Sequence, residues 1–112
     1  MNKVIEVEIS KGKQILIDER DYKLIFVELG LDKWSVKSQG DSICAFKTLG
    51  KNQLKRLNDH LASIGAKKVK PTKKGTKNIF LDKLIMGLTD SEVKHHNGNL
   101  LDNRRVNLRV DN

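Results

Sequence analysis

Apolar and polar residues alternate along Val4–Ile9 (VIEVEI), the period-two pattern of a half-buried strand. Lys11-Gly12-Lys13 has turn chemistry, and Gln14–Ile17 returns as a second short strand, so the chain is expected to begin with a hairpin. The period then lengthens. Tyr22, Ile25, Phe26 and Leu29 recur at helical spacing, Asp18 and Asp21 offer N-caps and Gly30 a stop, which predicts a helix over about 21–29. Alternation resumes in Lys33–Ser38, with Trp34 and Val36 on one side. The chain turns at Gln39-Gly40-Asp41 and returns over Ser42–Thr48, with Ile43, Ala45 and Phe46 expected inward. This is a second hairpin, and Trp34 is read as core.

Leu54, Leu57, Leu61 and Ile64 mark the clearest helix, over 52–64, closed by Gly65. Beyond it the pattern shortens. Ala66–Lys70 reads as a strand, Pro71–Lys77 as a loop, Asn78–Leu81 as a strand, and Asp82–Met86 as one or two helical turns stopped by Gly87. Glu92–His96 then reads as a strand, Asn97–Asp102 as a loop and Asn103–Arg109 as a short helix. The expected class is α+β. Hairpins and helices fill 1–50, a basic helix and loop fill 51–77, and a last motif fills 78–112, all packed as one unit.

Composition sharpens this picture at three points. Aromatics are 4% of 112 residues, so the core must be mostly aliphatic. Between Lys51 and Asn78, nine basic residues face Asp59 alone, so this stretch carries the whole net charge of +8 and the remainder is neutral. A local basic block favours a polyanion, which marks Lys67, Lys68, Lys70, Lys73 and Lys74 as candidate nucleic-acid contacts. The single cysteine, Cys44, excludes an internal disulfide and a cysteine-based zinc site. No signal peptide and no long apolar run is present, which predicts a soluble cytoplasmic protein without a membrane partner.

The densest chemistry lies in Val93–Val110 (VKHHNGNLLDNRRVNLRV). Two histidines end a strand, an Asn- and Gly-rich loop follows, and Arg104, Arg105 and Arg109 surround an Asn-Leu pair. This segment resembles the HNH endonucleases of phages and mobile elements, whose signature reads Val-Asp-His-Ile-Asn-Gly-Asn-x-Leu-Asp-Asn-Arg-Arg-x-Asn-Leu-Arg. Upstream, Phe80–Gly87 (FLDKLIMG) resembles the family's Tyr-Leu-His-Arg-Leu-Ile-Met-Gly. Ile9–Tyr22 resembles its opening, and Trp34 falls where the family has Lys-Trp. Lys51–Lys77 then reads as an expanded segment.

The resemblance implies a ββα-metal motif, with two strands and a helix around one divalent cation. It casts His95 as the general base that activates water against a phosphodiester. It casts Asn97, Gly98, Asn99, Asp102, Asn103 and Asn107 as the structural loop, and Arg104, Arg105 and Arg109 as residues facing DNA phosphate.

Three departures oppose catalysis. Lys94 stands where the family has a metal-binding Asp, and an ammonium repels a hard cation. Asp82 replaces a family His, although it can approach His95 across the sheet as a second candidate. The family's closing helix is also expected to be missing. The expectation is thus a small phage or prophage protein, nuclease-deficient, that binds nucleic acid through Lys and Arg. No metal or cofactor is expected, and magnesium or manganese would matter only to an active enzyme. Two alternatives stay open: a regulator of a host or defence protein, and a working metal-dependent endonuclease.

Overall fold

The computed structural model describes residues 3–10, 12–40, 42–89 and 91–110. Two turn residues of the sequence reading, Lys11 and Asp41, lie outside the described residues. β1 (Val4–Ser10) and β2 (Lys13–Asp18) form the expected antiparallel hairpin, with Val7 opposite Ile15 and Ile5 opposite Ile17. The other edge of β2 pairs in parallel with β7 (Asp102–Asn103), Leu16 opposite Asp102 and Ile17 opposite Asn103. The C-terminal motif is thereby joined to the first hairpin.

α1 (Glu19–Tyr22) continues as a π-helix over Lys23–Glu28. Leu29 N–H donates to Leu24 O at 2.8 Å, a five-residue step that widens the coil. Ile25, Phe26 and Leu29 are still turned into the core. Neither predicted cap acts as one. Asp18 occupies the N-cap position but makes no cap bond; its carboxylate accepts the Arg105 backbone N–H at 3.1 Å. Asp21 is buried inside the helix and holds the Arg105 guanidinium.

A second antiparallel sheet orders β3 (Ser35–Gln39), β4 (Ser42–Leu49) and β5 (Lys77–Phe80), with β4 central. Trp34 is 3% exposed, and its indole N–H donates to Leu31 O at 2.7 Å. Ala45 and Leu49 enter the core and Ile43 packs against it. Phe46 does not point inward: successive strand residues face opposite sides, so Phe46 lies half-buried on the outer face. The inward position next to it belongs to Lys47, whose ammonium donates to Lys33 O at 2.7 Å. Burial pushes the Lys47 pKa down.

α2 (Lys51–Ser63) buries Leu54, Leu57 and Leu61, and the Gln53 side chain accepts the Gly50 N–H at 3.1 Å. Ile64, expected on the same face, is 62% exposed, because the helix has already ended and the chain turns at Gly65 with φ +73°. Residues 66–70 are irregular and not a strand. Asn58 explains this. Its side-chain amide donates to Val69 O at 3.0 Å and accepts Val69 N–H at 2.7 Å, so this backbone is satisfied by α2 instead of a ladder.

α3 (Leu81–Ile85) buries Leu81 and Ile85. β6 (Val93–His95) then pairs antiparallel with β8 (Leu108–Val110), His95 opposite Leu108. The short helix predicted over 103–109 is absent. Asn103 belongs to β7, Arg105–Asn107 is a single 3-10 turn, and the chain extends again from Leu108. The described residues form a mixed α+β fold. Residues from all three predicted segments, including Ile17, Trp34, Leu57, Leu81 and Leu108, share one core. No helix among the described residues is long and apolar enough to cross a membrane.

Candidate functional site

The C-terminal loop is built by asparagine side chains standing in for backbone partners. Asn97 Nδ2 donates to Asp102 Oδ2 at 2.8 Å, while its Oδ1 accepts Asn99 N–H at 2.9 Å and Asn107 Nδ2 at 3.0 Å. Asn107 returns the contact, its Oδ1 accepting Asn97 N–H at 3.0 Å and its Nδ2 donating to Asp102 O at 2.9 Å. Asn99 Oδ1 accepts Leu101 N–H at 3.1 Å, and Gly98 turns with φ +75°. These bonds fold residues 103–107 back onto the loop, which is why a helix does not form there. Asp102 and Asn103, read as loop, are buried in β7 at its end.

At the end of β6 the His95 imidazole is buried, with Nε2 3.3 Å from Asn103 Oδ1 and 3.9 Å from Asp82 Oδ2. Asp82 therefore does approach His95, although 3.9 Å is beyond a direct hydrogen bond. Asp82 Oδ1 accepts the Lys83 N–H at 2.7 Å, and burial pushes its carboxyl pKa up. Among the described residues, neither His95 Nδ1 nor Asn103 Nδ2 has a hydrogen-bond partner.

Access separates the pair. Asp82 lines a cleft of about 410 Å³ with Ser42, Phe80, Lys83 and Glu92, whereas the His95 side chain is only 1% exposed and does not line it. A general base must reach the proton it removes, and here the carboxylate, not the imidazole, faces the cleft. Lys94 is exposed on the opposite side of β6 from His95, and His96, the first turn residue after the strand, is exposed as well. No group of three or more His, Cys, Asp or Glu poised for a metal occurs among the described residues.

Two of the arginines are paired with buried carboxylates while their own side chains stay partly exposed. Arg104 grips Asp102 with Nε and Nη2 at 2.8 and 2.7 Å, and this contact, ahead of all others, holds the Asp102 carboxyl below its usual range. Arg105 grips Asp21 in the same two-pronged way at 2.9 and 2.8 Å. Arg109 lies exposed on β8.

The lysines gather elsewhere. Lys67, Lys68 and Lys70 line a groove of about 460 Å³ together with Lys77 and Phe80 of β5, Lys83 of α3 and the Gly87–Thr89 turn. Lys73 and Lys74 sit exposed on the neighbouring loop, closed by Thr72 N–H to Thr76 O at 2.8 Å, and do not line the groove. Lys77 and Lys83 were not singled out by sequence: Lys77 sat at the margin of the basic block, and Lys83 lay in another segment. Leu88 lines the groove as well. Its φ of +58° is costly for a residue with a Cβ, and the conformation brings its N–H to Lys83 O at 2.6 Å. The bond fixes Lys83 beside the groove. No protein-family model matches the chain, and no curated protein or solved structure matches it.

Proposed function

We propose that this chain binds nucleic acid through the lysine groove, on a scaffold resembling the HNH endonucleases whose hydrolytic site no longer works. The observation that carries the binding is the convergence of Lys67, Lys68, Lys70, Lys77 and Lys83 from three separate segments. Five ammonium groups around one depression suit a row of phosphates, and release of the counterions those phosphates hold would supply most of the affinity. Arg104 and Arg105 act in this reading as structural ties, because their guanidinium groups already face carboxylates. The loss of hydrolysis rests on Lys94 in place of the family's metal-binding Asp and on the sealed imidazole of His95. A bacterial host cytoplasm is the setting this reading assigns.

Fluorescence anisotropy with labelled DNA at low salt tests the binding. Wild type should bind, and Lys67→Glu/Lys68→Glu/Lys70→Glu should not; absence of wild-type binding rejects the proposal. Incubation with supercoiled plasmid and magnesium or manganese should leave it intact. Nicking that disappears in His95→Ala would restore the nuclease reading.

A regulator that docks on another protein is the second reading. It is favoured by an apolar groove of about 410 Å³ lined by Leu24, Leu57, Leu61, Ile64 and Leu84. A stoichiometric protein partner that survives nuclease treatment and is lost in Ile64→Asp would support it.

A further inference from the structure

We infer that the lysine groove takes a single strand, with a base stacked on Phe80. This deepens the nucleic-acid reading above and rests on it. The groove runs along β5, the outer strand of the β3–β4–β5 sheet. Phe80 is half-buried at the end of β5 and lines both the groove and the adjoining cleft. Its cross-strand partner is Phe46, half-buried on the same outer face. Lys37 reaches over one face of the Phe80 ring, with Nζ 6.0 Å from the centroid, so a base stacks on the other face or displaces this ammonium.

Shape decides between a duplex and a single strand. Side chains read a duplex by entering its grooves from a protruding helix or ribbon. Here the charges line a depression, and a positive depression with an aromatic surface suits unpaired bases. The sign of the lining also changes at Phe80. On one side stand Lys67, Lys68, Lys70 and Lys77; on the other, beyond Lys83, stand Asp82 and Glu92. A phosphate chain is attracted as far as Lys83 and repelled past it. The strand therefore ends or turns at Phe80, and the site is short.

The test uses the full chain with fluorescein-labelled oligothymidylate, a self-complementary duplex of equal length, and an acidic Glu/Asp peptide as competitor. The single strand should bind at least about tenfold more tightly than the duplex. Phe80→Ala should weaken single-strand binding about 5- to 150-fold, the measured range for losing one stacked base, while Phe80→Tyr restores it. Because Phe80→Ala removes packing, Phe80→Trp gives an independent reading: its added fluorescence should be quenched by oligothymidylate. Equal or tighter duplex binding, an unchanged Phe80→Ala affinity, or an unquenched Phe80→Trp overturns the inference. Displacement of the oligonucleotide by the acidic peptide at similar concentration also overturns it, since the groove would then serve an acidic protein. If both strands bind through the lysines and Phe80 is indifferent, only this inference fails; if neither strand binds, the nucleic-acid reading fails with it.

Discussion

Five lysines in one groove fix how steeply binding must depend on salt. For a single strand, the logarithm of affinity falls against the logarithm of salt with a slope of about −0.7 per neutralised phosphate. If each groove lysine meets one phosphate, the slope is about −3.5, and affinity drops about 130-fold between about 50 and 200 mM salt. Replacing Lys70 and Lys77 by Gln keeps length and polarity but removes two charges. The slope should relax to about −2.1, and the same salt increase should cost only about 18-fold. The assay is anisotropy with a labelled oligonucleotide at four or more salt concentrations, wild type and variant side by side. A wild-type slope near zero would refute the electrostatic argument, as would a double variant whose slope is unchanged. Lys73→Gln/Lys74→Gln is the control: these side chains lie outside the groove lining and should leave the slope near its wild-type value.

Three further outcomes follow from the buried polar groups and the core. Arg105→Leu leaves the Asp21 carboxylate, 2% exposed, without its cation and, because the Arg105 side chain is itself 42% exposed, should cost about 1.5–3 kcal/mol in urea unfolding, with Asp21→Leu/Arg105→Leu recovering much of it; a loss under about 1 kcal/mol would refute this. Asp82 has its pKa raised by burial, so its ionised form opposes folding, and the penalty is present above the carboxyl's ordinary pKa and relieved as pH falls below it. Asp82→Asn should therefore raise the melting temperature more at pH 7 than at pH 3, and the reverse order would contradict the burial argument. Leu57→Ala empties a fully buried position under α2 and should cost about 2–5 kcal/mol, measured by the same urea titration.

Local pattern carried much of the fold. The alternation of Val4–Ile9 became β1, and the spacing of Leu54, Leu57 and Leu61 became the buried face of α2. Asn97 and Asn99 were legible as a loop because amide side chains that replace backbone partners act over short separations. The same shortness of range produced the errors. Val69 was read as part of a short strand, yet its backbone is satisfied by Asn58, 11 residues earlier. Residues 103–109 were read as helix, yet Asn107 is drawn back to Asn97 and Asp102.

What the sequence determined by itself was the inventory: a basic block after Lys51, one buried-type cysteine, a histidine followed by an Asn-Gly-Asn loop, and periodicities that separate strands from helices. Tertiary structure alone decided the partners. It spent Arg105 on Asp21, 84 residues away, buried His95 beside Asp82, and brought Lys83 into a groove with Lys67, Lys68, Lys70 and Lys77. The physical reason is that periodicity records which face of an element is buried, whereas a charge's role depends on what other segments bring within a few ångströms of it.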